Sequence, residues 1–229
     1  GKQHWNRERY TRKLLHISKV LDNLGEGKFP LLIGLCEVEN RDVVADLANK
    51  TVLADANYGI VHADSPDARG IDVALLYRKD SFRLSRNAFF PVHLKNGETT
   101  RDILYCEGIW GCEDTLHIFV CHFPSMRGGE AKSEWKRVEA ASVVKQKVDS
   151  IQGICSRAMI LIMGDLNGRA NTLAQKILKI QNPESGAIQS ENLYNTGYYL
   201  LGKPYGSYRY KGEWQTLDHI IVSGNLLNG

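Results

Sequence analysis

The sequence has no Cys-x-x-Cys pair and no cysteine–histidine cluster at zinc-finger spacing. This removes the common structural zinc modules. Its five cysteines, Cys36, Cys106, Cys112, Cys121 and Cys155, are odd in number. Cys36 and Cys121 sit inside apolar runs, where a free thiol behaves as a small hydrophobe. No apolar stretch approaches the roughly 18 residues needed to span a bilayer, so stable membrane insertion is not expected. No signal peptide stands at the start, and Gly1 is not a natural first residue, which points to a cut or tagged chain whose targeting information is gone. The expectation is a soluble protein of undetermined compartment. There is no internal repeat, no low-complexity tract and no protein-partner motif. Charge of either sign is not in large excess: the net is +3. Such a balance permits an anionic substrate without demanding nucleic acid.

What is present is a core. With 229 residues and 43% hydrophobic content, the chain can bury one large sandwich. Its centre is the stretch from Ala158 to Asn167, Ala-Met-Ile-Leu-Ile-Met-Gly-Asp-Leu-Asn. Six apolar residues without a polar break read as a strand buried on both faces. After Gly164 come an acid and an amide, two apart. Residues i and i+2 of extended backbone point the same way, so Asp165 and Asn167 reach into one pocket while Leu166 turns away. That pair suits proton transfer beside an anion-stabilising donor. It also suits a polar strand-to-loop turn.

Other segments follow the same pattern. Residues 6–24 read as an amphipathic helix through Tyr10, Leu14, Ile17, Leu21 and Leu24, its arginines and lysines forming a solvated face or a phosphate-tracking one. The apolar run 31–36 ends at Glu37, and 41–49 is a short helix. Strands are expected at 59–63, 71–78, 82–90, 101–111 and 115–122, the last delivering His122. A helix is expected over 131–151, with Trp135, Val138, Ala141, Val144 and Val148 on one face, and a shorter one at 172–180. Residues 181–206 look irregular. A closing hairpin is expected from 206–210 and 215–222, turning at Lys211-Gly212. Hairpins mixed with long crossover helices predict an α+β sandwich, two sheets face to face with helices outside.

Four separate strands thus end in polar groups: Glu37, His122, Asp165 with Asn167, and Asp218. Strand ends carrying acids at one rim favour a functional site over turn chemistry alone. Oxygen ligands without thiolates suit a hard cation, Mg²⁺ or Mn²⁺.

Gly-Leu-Cys-Glu37-Val-Glu-Asn, Gly70-Ile-Asp-Val-Ala-Leu-Leu-Tyr, Arg101, His122-Phe-Pro-Ser, Gly164-Asp-Leu-Asn and Leu217-Asp-His-Ile-Ile-Val together resemble the endonuclease/exonuclease/phosphatase superfamily. Pancreatic-type deoxyribonucleases, abasic-site endonucleases, inositol polyphosphate 5-phosphatases and bacterial sphingomyelinases are among its members. The resemblance implies one domain over residues 1–229. It is a four-layered α/β sandwich, with two mixed β-sheets packed face to face. It implies metal-dependent cleavage of a phosphoester, most readily of DNA or RNA. Lipid or inositol headgroups, or a non-catalytic binding role on the same scaffold, are the alternatives. By this likeness Glu37 holds Mg²⁺ or Mn²⁺, and Asp165 positions or deprotonates the attacking water. Asn167 hydrogen-bonds the phosphate or nucleophile, His122 donates to a phosphate oxygen, and Arg101 contacts phosphate.

Each of these residues also has a plainer reading. Glu37 serves as a helix-start carboxylate, His122 as a buried ring satisfied by a backbone carbonyl, and Arg101 as a strand-edge charge. Asp72 orients His122 or shapes a turn. The resemblance further implies a first strand ending in a metal-holding Asn and a terminal Ser-Asp-His segment. Neither is in the sequence, so the natural protein is expected to be longer at both ends, and sheet edges and apolar faces to be exposed. Asp218 matches the acid that orients the histidine of that segment. His219, next to it in a strand, should face the opposite side of the sheet and is not expected to replace it.

Overall fold

The computed structural model describes residues 5–25, 27–111 and 114–228. The expected link at Cys112 and Glu113 therefore lies outside the described residues. In chain order the elements are α1 (Arg7–Leu24), β1 (Leu32–Val38), α2 (Arg41–Asn49), β2 (Tyr58–His62), β3 (Asp72–Arg78), β4 (Phe82–Phe90), β5 (Ile103–Trp110) and β6 (Asp114–His122). There follow α3 (Glu130–Ile154), β7 (Met159–Asp165), α4 (Leu173–Ile177), β8 (Ile180–Gln181), β9 (Leu193–Asn195), β10 (Tyr208–Tyr210), β11 (Glu213–Gln215) and β12 (Asp218–Ser223).

Asparagine starts both N-terminal helices. The side chain of Asn6 accepts from the Arg9 amide, and that of Asn40 accepts from Val43. Each satisfies a donor that the first helical turn leaves unpaired.

The strands form two stacked sheets. One has the order β4-β5-β6-β7-β12-β9-β8, with β6 parallel to β7 and β8 parallel to β9. The other has the order β1-β3-β2, antiparallel at both pairings. Alternation along the strands fills three apolar layers. On β3, Ala74 and Leu76 pack under α1 and α2, while Val73 and Leu75 pack between the sheets. On β7, Leu161 and Met163 face the small sheet, while Ile160 and Ile162 face α3. The unbroken apolar run of β7 thus reflects burial on both faces. Helices, sheet, sheet and helix make the four layers.

Gly164 permits the parallel approach of β6 and β7. It sits at φ 128°, and a Cβ there would lie 2.1 Å from the Cys121 carbonyl oxygen.

Two expectations are corrected. The irregular stretch expected at 181–206 holds the end of β8 (Ile180–Gln181) and all of β9 (Leu193–Asn195), both in the large sheet, and Asn195 is fully buried there. The closing hairpin divides. Its turn at Lys211-Gly212 belongs to an exposed two-stranded ribbon, β10 with β11, whereas β12 pairs with β7 and β9. Thr216 and Leu217 separate the ribbon from β12.

Cys36, Cys106, Cys121 and Cys155 are free thiols; Cys106 and Cys121 are fully buried, and Cys155 is exposed. No helix among the described residues is long and apolar enough to cross a membrane. Among the described residues β1 is paired on one side only, and Ile220 is 54% exposed on the strand that carries Asp218.

Candidate active site

The C-terminal ends of β1, β6 and β7 and the N-terminal end of β12 meet at one rim. β6 and β7 run parallel and place His122 level with Asp165. β12 runs antiparallel and sets Asp218 directly opposite Asp165. Glu37 arrives by a different device. The register of β1 against β3 shifts between Cys36 and Val38, and Glu37 has φ 58°. A bulge in left-handed backbone re-aims its carboxylate out of the strand's alternation.

Asp165 and Asn167 form a local unit. Asp165 Oδ1 accepts the Asn167 backbone N–H at 2.8 Å, and Asn167 sits at φ 48°. This is turn chemistry, and it also orients the functional groups. Leu166 turns into the α3 core as expected, and the Asn167 amide donates to the Phe123 carbonyl at 2.9 Å. Asp165 Oδ2 remains beside His122 Nε2 at 3.7 Å.

Burial raises the Asp165 carboxyl to about 6, against the lowering effect of the Asn167 N–H, and nearby Asp218 and Glu37 push it the same way as burial. Three carboxylates therefore share one rim. Neither Glu37 nor Asp218 has an ion pair among the described residues. The oxygen donors of the three carboxylates are the type a hard divalent cation takes, but among the described residues they are not gathered to mutual ligand distance as His62, Asp64 and Asp72 are.

His122 is neutral. Burial, reinforced by the positive charges of Arg101 and Arg69, lowers its pKa to about 3. Its Nδ1 is buried with no hydrogen-bond partner among the described residues. The plainer reading, a ring satisfied by a backbone carbonyl, is thus overturned. The backbone carbonyl of His122 is the one that accepts, from Arg101 Nε at 3.1 Å.

Arg101 is only 3% exposed, so it is not the strand-edge charge of the plainer reading. Its Nη2 donates to the Phe123 carbonyl at 2.6 Å, and its Nη1 to Asp67 Oδ2 at 2.9 Å. Arg101 therefore clamps the backbone on which His122 stands. Burial opposes ionisation of Asp67, but hydrogen bonds from Arg69 and Arg101 outweigh it and hold the carboxyl at about 2. Nothing local in the sequence marks Asp67 for a pairing 34 residues away.

Asp72 does not reach His122. It accepts from the Ser65 amide and hydroxyl at 2.8 and 2.7 Å, and it pairs with His62 at 3.2 Å. His62, Asp64 and Asp72 cluster closely enough to hold a cation, but Ser65 and His62 already satisfy Asp72. His219 faces away from the rim as expected. Its ring lies 2.9 Å from the Asn195 amide and 2.7 Å from the Gly168 carbonyl, a buried network the sequence did not signal.

Solved structures share the architecture. The human Nocturnin catalytic domain with a bound sulfate anion is 19% identical, with a TM-score of 0.66 over 97% of this chain and 77% of that one. Truncated Caenorhabditis elegans TDP2 is 18% identical, with a TM-score of 0.62 over 96% and 79%. D. rerio TDP2 complexed with a single strand DNA product is 15% identical, with a TM-score of 0.61 over 96% and 79%. No curated protein sequence matches the chain. The profile of the Endonuclease/Exonuclease/phosphatase family matches residues 1–229. By that match, and on a fold its structural neighbours share, the chain belongs to the endonuclease/exonuclease/phosphatase family.

Proposed function

We propose that this protein is a metal-dependent phosphodiester hydrolase that cleaves nucleic acid by attack of water on phosphorus. The observation that carries the reading is the meeting of a carboxyl held near pKa 6, Asp165, with a neutral histidine whose Nε2 lies 3.7 Å from Asp165 Oδ2 at the rim. A carboxyl tuned upward is a competent base close to neutral pH. A neutral imidazole can donate its N–H to a phosphate oxygen without first being protonated.

Glu37 holds the cation, Mg²⁺ or Mn²⁺, whose chemistry when bound is to neutralise charge on the phosphate. Asp165 accepts the proton of the attacking water through Oδ2, because Oδ1 is occupied by the Asn167 N–H. Asn167 has a second amide hydrogen beyond the one given to Phe123, and it points this donor at the phosphate. His122 stabilises the oxygen that gains charge as the fifth bond forms. Asp218 sustains the raised pKa of Asp165 from across the β7–β12 pairing. Arg101 positions His122 and does not touch substrate. The family match, and a relative solved with a single strand DNA product, support nucleic acid as the substrate class.

The test is hydrolysis of plasmid DNA, single-stranded DNA and a generic phosphodiester in Mg²⁺ and in EDTA, alongside Asp165→Ala. Cleavage that requires metal and fails in the variant supports the reading. Turnover confined to lipid or inositol headgroup phosphoesters would replace the substrate class.

A further inference from the structure

A groove of about 730 Å³ opens beside the rim. Arg169, Leu200, Lys203, Tyr205, Arg209 and Trp214 contribute to its walls. It is joined to the acids by short lengths of chain. Arg169 follows Asn167 by two residues, and Thr216, also on the wall, precedes Asp218 by two. The root of the ribbon is tied to β12, since Ser207 Oγ accepts from the Leu217 and Asp218 amides at 3.0 and 3.1 Å.

The ribbon carries rings and cations in alternation. Tyr208 and Tyr210 lie on one face with centroids 6.3 Å apart and planes 13° from parallel. Arg209 and Trp214 are cross-strand partners, the guanidinium 5.7 Å from the indole centroid. Tyr205, Tyr208, Tyr210 and Trp214 are each 41–52% exposed. Arg169, Lys203, Arg209 and Lys211 have no ion pair among the described residues. In the groove's lining three cations, Arg169, Lys203 and Arg209, stand against the one acid Glu213.

We infer that this groove binds single-stranded nucleic acid that continues beyond the scissile phosphate, its bases stacking on Trp214 and Tyr205 and its phosphates meeting Arg169, Lys203 and Arg209. The inference rests on the proposed hydrolase reading and adds the substrate's strandedness and path. Interleaved rings and cations are the chemistry that holds unpaired bases and their backbone together. In a duplex the base faces are stacked on one another and cannot reach a ring. A lipid surface would be met by the outer ring face of Tyr208 and Tyr210, which do not line the groove, and not by Arg169, Lys203 and Trp214, which do.

The experiment measures binding of a fluorescein-labelled 12-nucleotide single strand in EDTA, so that no cleavage occurs. Its arms are the same sequence as a duplex and anionic phosphatidylserine vesicles. Trp214→Ala should weaken single-strand binding about 5- to 100-fold. Lys203→Gln with Arg209→Gln should reduce the slope of log K against log salt by about 1.4. Lys19→Ala, on the basic helix α1, should change nothing. The inference is overturned if both groove variants bind the single strand like wild type, if duplex is bound as tightly and falls equally, or if only vesicle binding falls. Turnover of bis(4-nitrophenyl) phosphate by the wild-type chain with Mn²⁺ is read separately. If that fails while single-strand binding depends on the groove, the hydrolase reading falls and the binding site stands.

Discussion

Arg101 and Asn167 donate to the same acceptor, the main-chain carbonyl of Phe123, at 2.6 and 2.9 Å. One peptide group thereby couples the clamp behind His122 to the amide beside Asp165. Arg101→Ala removes the clamp and leaves Asp67 buried, although Arg69 still reaches it. Breaking a buried pair in this way costs about 3–5 kcal/mol. Urea denaturation should show that loss. Arg101→Lys should recover little of it, because an ammonium cannot reproduce three directed contacts.

Asp165→Asn should separate stability from activity. The carboxyl is held near 6 by burial and by two neighbouring acids, so its charged form opposes folding at neutral pH. In the metal-free protein the variant should have a higher denaturation midpoint at pH 7.5, while hydrolysis is lost. An unchanged or lower midpoint would show that the three acids do not repel one another as described.

The pH dependence of metal-free stability follows from two opposed shifts. Asp165 is raised to about 6, so between pH 4 and 6 the folded state keeps a proton that the unfolded state has released, and stability falls as pH rises. His122 is lowered to about 3, so over the same window the unfolded state holds a proton that the folded state lacks, and stability rises with pH. Each slope is about 1.4 kcal/mol per pH unit, and together they nearly cancel. His122→Gln should therefore be stabilised by acidification from pH 6 to 4, and Asp165→Asn destabilised. Denaturant midpoints across that range provide the check.

Gly164→Ala places a methyl group against the Cys121 carbonyl in backbone that a side chain disfavours. We expect a destabilisation of about 2–4 kcal/mol, with a matching drop in melting temperature. Loss of activity should track loss of folded protein.

Much of this was legible in advance because its signals are local. The apolar runs ending at Glu37, His122 and Asp165 exposed both the doubly buried strands and the rim at which they stop. The strand alternation that turns His219 away from Asp218 was equally readable. Three features were not, because each depends on contacts made only in the folded chain. Nothing near Arg101 marks Asp67 as its partner or shows that its guanidinium is spent on two carbonyls. The bulge at Glu37 is a mismatch with β3, invisible in β1 alone. The split of the closing hairpin reflects the need of β9 for a neighbour, which local turn chemistry at Lys211-Gly212 does not report.

The most direct test of the central claim is hydrolysis of bis(4-nitrophenyl) phosphate as a function of Mn²⁺ concentration, for wild type, Glu37→Gln and Asp165→Ala. The account predicts no turnover in EDTA and saturation with metal. Glu37→Gln should move the metal midpoint upward by about tenfold or more. Asp165→Ala should lower the rate at saturating metal by about 10²–10⁴-fold. Turnover that persists in EDTA, or variants that match wild type at every Mn²⁺ concentration, would contradict a metal-dependent phosphodiesterase built on Glu37 and Asp165.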